Sequence, residues 1–312
     1  MLRRTSGSSS GGGGAGSVGH PDYYYVPHLG SIQNQITLAE NAGHNAGWPA
    51  WVVVQENRTE NITLKSGIYV TGGVTSGTRS PIVITGKVTV NPITGTFETN
   101  KYSLEGLSIV AGTTNGTALE FIGPNPAEVF FGDLTLTTNG TGRCLSVSNA
   151  GIGSTVRHSG DMVLKYTGTA SSVYCVECTA ARTYLDRVVY SGLVGCAKVV
   201  NSGTWLILGS GEVITPSTLP VSTFECVTSA YLRLGDMLLT HNNPNKDAIW
   251  IASNARVDCV GTTFDVVPAG SSMSVSGDTS ANIYLNGTNF VYGRDNRIHN
   301  VHWWTSVGAV AG

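Results

Sequence analysis

Charge is scarce in this chain. Only 12% of its 312 residues are Asp, Glu, Lys or Arg, against a usual share of roughly a quarter. Lys and Arg number 18 and Asp and Glu 20, for a formal net charge of −2. Bulk electrostatics therefore gives no reason to expect a nucleic-acid partner. No apolar run approaches the ~18 residues that read as a membrane-spanning helix, so no membrane insertion is expected. Arg3 and Arg4 are followed by Gly and Ser, with no apolar stretch behind them, so no secretory signal is read there. Sustained 3.6-residue periodicity is missing everywhere except one short segment. Tryptophan is missing from the middle of the chain, where Trp205 and Trp250 are the only two between positions 52 and 302. Few aromatic platforms for sugar are expected there. The six cysteines lack the spacing of a zinc site. Cys175 and Cys178 form one CxxC pair, while Cys144 and Cys196 stand singly, and a zinc site needs a second pair. No metal or cofactor is expected.

What the chain does have is a repeat. A small or acidic residue followed by an aliphatic or aromatic one recurs at Leu107, Leu134, Met162, Val188, Val213, Met237, Phe264 and Phe290. The successive steps are 27, 28, 26, 25, 24, 27 and 26. A period of this size marks a solenoid, propeller or array. Between the marks lie Val-, Leu-, Ile- and Thr-rich segments with period-two alternation, broken by Asn-Gly, Gly-Ser and Asn-Pro turns. Three strands of about five residues plus turns consume one period, which is one coil of a parallel β-helix. Stacked coils satisfy each other's backbone groups. At about 4.8 Å per coil the repeat makes a rod of roughly 40 Å.

Cys144, Cys175, Cys196 and Cys226 lie 10, 13, 8 and 13 residues past the marks at 134, 162, 188 and 213. Each falls near the second strand of its coil. They are read as a ladder of buried free thiols acting as small hydrophobes. Five Asn-x-Thr triplets, at Asn57, Asn61, Asn115, Asn139 and Asn286, are read as turns.

The flanks differ from the repeat. Residues 1–19 form a Gly/Ser-rich arm with Arg3 and Arg4 near its tip, a flexible coil on its own. Residues 20–50 hold an aromatic segment and a helix. Tyr23, Tyr24 and Tyr25 are consecutive, so they cannot all face one core from an extended strand. Ser31 is a candidate N-cap for a helix over Ser31 to Ala42, with Ile32, Ile36 and Ala39 on one face. Such a helix would cap the first coil and shield its open edge. The β-helix is expected over 51–292. Residues 293–312 leave the repeat, and their Trp303 and Trp304 are expected to cap the last coil or to form a subunit interface.

The opening of the repeat resembles the right-handed parallel β-helix family. Its members include pectate-lyase-like and pectin-methylesterase-like proteins and the β-helical tail spikes and fibres of bacteriophages. The matching residues are Ile32 and Gln33 of the capping helix, then Glu60, Asn61, Ile62, Leu64, Ser66 and Gly67. The resemblance spans about 31–73 in motif and 74–292 in repeat pattern alone. It implies an all-β, right-handed parallel β-helix with a short capping helix. The catalytic motifs of the enzymes in this family do not match. FFGD at 130–133 is only faintly like one of them.

One carboxylate constellation stands out. The residues before the marks include Asp133, Asp161, Arg187, Glu212 and Asp236. Stacked one coil apart, Asp133 with Asp161 and Glu212 with Asp236 would form like-charge pairs. In such a pair one carboxyl has a raised pKa, as a glycosidase acid requires. The plainer reading makes these acids turn residues that accept backbone N–H bonds.

The expected function follows from the fold, the arm and the missing enzyme motifs. It is a structural virion protein of a bacteriophage: a fibre, spike or capsid-decoration protein. It would be assembled in the host cytoplasm as a homotrimer, a number implied by the resemblance alone. Arg3 and Arg4 would anchor it to capsid or tail proteins, Tyr23, Tyr24, Tyr25, Trp303 and Trp304 would serve assembly, and host surface polysaccharide is a candidate further contact. The alternatives are a polysaccharide depolymerase using one of the two carboxylate pairs, and a cell-surface adhesin.

Overall fold

The structure, a computed structural model, describes residues 22–72, 81–148, 150–169, 171–243, 245–266, 275–291, 298–299 and 301–305. Arg3 and Arg4 lie outside the described residues. The rest is a parallel β-solenoid of about nine turns with one short helix. Each coil contributes a strand to three faces in turn. Face I includes Ala50–Val54, Ile68–Gly72, Lys101–Glu105 and Glu128–Phe131; face II includes Ile82–Thr85, Leu107–Val110 and Leu134–Thr138; face III includes Ile62–Leu64, Val88–Val90 and Leu119–Phe121. Faces I and II join into one 19-stranded sheet, and face III is a separate sheet of 10 strands. The joining is physical. Arg182–Ser191, Trp205–Thr215 and Tyr231–His241 run unbroken from face I across the corner to face II.

Alternate residues of every strand fill the interior, as the period-two pattern requires. The row Ile109, Leu136, Leu164, Tyr190, Val213, Leu239 and Phe264 shows this, each residue paired with the next and each fully or almost fully buried. Burying one such side chain contributes about 1.5–3 kcal/mol. This row also corrects the repeat reading. Val213 pairs with Tyr190, and Val188 pairs with Gly211. Val188 to Gly211 spans 23 residues, where Met162 to Val188 and Gly211 to Met237 each span 26, so the true mark lies at Gly211, two residues before Val213. Gly211 is the residue such a tight corner needs. Its φ is +134°, and a Cβ there would lie 1.9 Å from the Val188 carbonyl oxygen.

The helix runs from Ile32 to Asn41, with Ser31 as N-cap accepting from the Asn34 N–H. Ile32, Ile36 and Ala39 are fully buried, so the helix plugs the open end of the core. Two residues of the family-like motif hold it there. The Glu60 carboxylate accepts from the Ile32 N–H at 2.7 Å, the Gln33 N–H at 3.2 Å and the Ser31 hydroxyl at 2.8 Å. The Gln33 side chain accepts from the Thr63 N–H and donates to the Thr63 carbonyl. A carboxylate at a helix N-terminus meets unpaired N–H groups and the positive end of the dipole.

Coil pairing extends past both expected limits. Asp22–Tyr25 pairs in parallel with Ala50–Val54 ahead of the helix. Ile298–His299 and His302–Thr305 continue faces III and I beyond residue 292. The turn asparagines work between coils. The side-chain oxygens of Asn57, Asn61 and Asn115 accept from the N–H groups of Val83, Lys87 and Thr141, each 26 residues on.

All six cysteines are free and buried. Their ladder has two columns. Cys144 donates its N–H to the Cys175 carbonyl, and Cys175 lies beside Cys196 on the next rung. Cys226 instead follows Cys178, through Val199 between them. Burial pushes the Cys178 and Cys226 thiols up to about 12.

Candidate functional site

Where alternate residues face the core, the residues between them face out. On face I these outward residues form a strip of aromatic and basic side chains. One row starts at Tyr23 and passes to Trp51 and Tyr69. It continues through Ser103, Phe130, Arg157 and Tyr184, and then Ile207, Arg233, Asp258 and Tyr284. A second row, two residues earlier on each strand, carries Lys101 and Glu128, then Arg182, Trp205, Tyr231 and Arg256.

These side chains stack along the axis. Tyr23 and Trp51 have ring centroids 5.9 Å apart, Trp51 and Tyr69 5.2 Å, and Trp205 and Tyr231 5.2 Å. The Arg182 guanidinium lies 4.6 Å over Trp205, and that of Arg256 lies 4.1 Å over Tyr284. At these distances each guanidinium is attracted to the ring it covers. Arg256 also grips Asp258 with two bonds of 2.7 and 2.9 Å, and the Tyr231 hydroxyl donates to the same carboxylate at 2.8 Å. Burial, then the Asp258 carboxylate, raise the Tyr231 pKa well above its ordinary value. Lower on the strip, Lys101 pairs with Glu128 at 2.8 Å. Tyr69, Lys101, Glu128, Phe130 and Arg157 line an open depression of about 420 Å³.

The acidic ladder sits at the corner between faces I and II. Asp133 and Asp161 do fall on neighbouring rungs. The Asp133 carboxylate accepts from the Asp161 N–H at 2.8 Å, and the Asp161 carboxylate meets Arg187 at 3.1 Å. Asp133 therefore has the role of a turn acid. Behind them His158 is buried, and its Nδ1 accepts from the Asp186 N–H at 3.3 Å. Burial lowers the His158 pKa, and the nearby Asp186, Asp133 and Asp161 carboxylates oppose that shift in part. Glu212 and Asp236 are not a stacked pair. Glu212 stands between Val189 and Leu238, while Asp236 faces Ser210. The shortened coil puts Ser210, two residues before Glu212, on the rung of Asp236.

The aromatic segment divides as its alternation requires. Tyr23 and Tyr25 are exposed, while Tyr24 turns inward with its hydroxyl 3.1 Å from His44 Nε2. At the far end Trp303 takes the register position beside Ile283, and Trp304 that beside Tyr284. Tyr184, Trp205, Tyr231, Arg182, Arg233 and Arg256 went unremarked in the sequence as a group. Counting tryptophans alone hid the tyrosine platforms. Listing every outward position of the face I strands would have found them. Among the described residues no group of three His, Cys, Asp or Glu side chains is placed to hold a metal ion, and no helix is long and apolar enough to cross a membrane. No protein-family model, no curated protein and no solved structure matches this chain.

Proposed function

We propose that the chain is a non-catalytic structural rod working inside a larger assembly: a homotrimeric fibre, spike or capsid-decoration protein of a bacteriophage particle. The observation that carries this reading is the face I strip. Tyr, Trp, Phe and Arg are the residues enriched in protein interfaces and their hot spots, and here they run in register along the whole rod. A free-standing solenoid needs polar outward rows, not exposed rings such as Tyr23 and Phe130. The Gly-rich arm of residues 1–19, with Arg3 and Arg4, would be the anchor to capsid or tail proteins. The test is the solution mass, by light scattering, of the full chain and of a version lacking 1–19. Trimers of both are expected. Monomers of both overturn the assembly.

A polysaccharide depolymerase is the second reading. What favours it is the adjacency of Asp133 and Asp161, with His158 and Arg187 beside them. If a purified preparation cleaves a surface polysaccharide and D133N/D161N cleaves it equally well, this pair is not the catalyst.

A further inference from the structure

We propose that the occupant of face I is a second copy of this chain, docked through the acidic edge of its own face II. The inference rests on the assembly reading above and names its contact.

Charge is the first argument. The two rows of the strip carry Lys101, Arg157, Arg182, Arg233 and Arg256 against Glu128 and Asp258, a balance of +3. From Asp133 onward, the corner and the outward positions of face II carry Asp133, Asp161, Asp186, Glu212, Asp236 and Asp265 against Lys165 and Arg187, a balance of −4. The whole chain is only −2, so opposite signs have been sorted onto two adjoining surfaces. Several of these charges make no ion pair among the described residues. Among the described residues Arg182 and Arg233 meet no carboxylate, and Glu212 and Asp236 meet no cation, while Asp161 and Asp258 are paired. Complementary charges steer association and fix its register.

Shape and apolar content agree. On face I, Ile207 and Tyr184 lie between Arg157 and Arg233 along the row. On face II, Ile214 and Leu238 are exposed at 37% and 39% beside Glu212 and Asp236. An unpaired Ile and Leu on a β-surface otherwise have no cover. From Tyr23 to Tyr284 the strip crosses ten rungs, about 48 Å, and with side chains either side of its two rows it offers on the order of 700 Å². A standard interface buries about 800 Å² per partner.

Topology then sets the kind of contact. Faces I and II flank one corner, which Arg182–Ser191, Trp205–Thr215 and Tyr231–His241 cross without a break. Face I meeting face II is a heterologous contact, and copies related by rotation about an axis beside that corner close into a ring. Face I meeting itself is an isologous contact, which closes as a two-fold dimer and not as a ring of three.

The experiment is charge exchange in the full chain, read by light scattering, with circular dichroism to check the fold. The positions chosen are exposed and make no ion pair, so folding should tolerate them. Arg182→Glu with Arg233→Glu should weaken association at least about tenfold, and so should Glu212→Arg with Asp236→Arg. A chain with all four substitutions should recover the native mass. Retention of the native mass by R182E/R233E, or failure of the fourfold variant to recover it, overturns the docking proposal and leaves the assembly standing. A native chain that stays at 32.6 kDa overturns both. If R182E/R233E keeps the native mass but loses retention on an acidic-polysaccharide column, face I is a glycan surface and the proposal is wrong.

Discussion

Glu60 is one carboxylate holding the helix over the end of the solenoid, which makes its removal informative. Glu60→Ala deletes acceptors for the Ile32 N–H, the Gln33 N–H and the Ser31 hydroxyl. Net hydrogen-bond contributions are about 1 kcal/mol each, more when one partner is charged, and the helix dipole adds about 0.3–1 kcal/mol. Two effects reduce the sum. Glu60 is half-exposed, so water replaces part of what is lost, and Ser31 still caps Asn34 at 3.2 Å. About 1–2 kcal/mol remains. In a stack of coils each unit leans mainly on its neighbours, so the loss should be local. Hydrogen exchange should show the amides of Ile32, Gln33, Val52 and Val54 exchanging about tenfold faster, since 1.4 kcal/mol is a factor of ten in an opening equilibrium. Amides of Leu206, Leu234 and Val257, several coils away, should be unchanged. Glu60→Gln, which keeps one acceptor oxygen and loses the charge, should fall between. Equal acceleration at both ends would refute the argument, because it would mean that the helix stabilises the rod globally.

Acid should weaken the fold through its buried histidines. Burial lowers the pKa of both His158 and His241, so the unfolded chain binds more protons than the folded one. Stability is therefore full above about pH 6.5 and falls as the pH drops from there toward the folded values. A urea midpoint lower at pH 5 than at pH 7.5 is expected, with the difference reduced in His241→Asn; equal midpoints would exclude the effect. Glycine to alanine in an ordinary strand gains about 0.5–1 kcal/mol; Gly211→Ala should instead destabilise, because its φ is +134° and its Cβ would meet the Val188 carbonyl at 1.9 Å. Gly153→Ala, at φ +88° but with nothing within 4 Å of its Cβ, is the control that separates the strain of a positive φ from the clash in the same unfolding titration. Native protein at pH 7 should resist thiol alkylation, since Cys144, Cys178, Cys196, Cys226 and Cys259 are buried with raised pKa values. Rapid labelling of any of these without unfolding would contradict the burial.

Some of this structure was legible in the residues, and the limits of reading have a physical cause. Core rows impose a strict alternation, so the coil period, the capping helix over Ile32, Ile36 and Ala39, and the buried thiols all leave marks in the pattern. Alternation has a period of two, however, and a register slip of two residues leaves every side chain on its proper side. The inward sets around Val188, Val213 and Met237 therefore fit two registers equally well. Only the pairing of Tyr190 with Val213 and of Gly211 with Met237 distinguishes them. The apparent Glu212–Asp236 stack was a casualty of that ambiguity.

The same ambiguity hid how the face I residues line up, although their outward positions alternate with the core set. An outward row is defined by which residues of successive coils are neighbours, and no burial constraint marks that pairing in the chain. Trp205 and Tyr231 are 26 residues apart with nothing local to link them, yet their rings are 5.2 Å apart once the coils are in register. The surface of a solenoid is thus set by its core. Arg182–Ser191 pairs with Trp205–Thr215 at one offset on both faces, 205 − 182 and 213 − 190 both being 23, so the shortening lies outside the crossing strands and leaves Glu212 beside Leu238 and Asp236 beside Ser210. The shortened coil then brings acid and exposed aliphatic together on one patch. Restoring the lost residues between Tyr190 and Val213 should therefore leave the core intact while breaking that patch. The inserted residues should preserve the folded signal in circular dichroism and abolish the association that depends on Glu212 and Asp236. Loss of the fold itself would show that the slip serves the core, and the link drawn here between register and surface would fail.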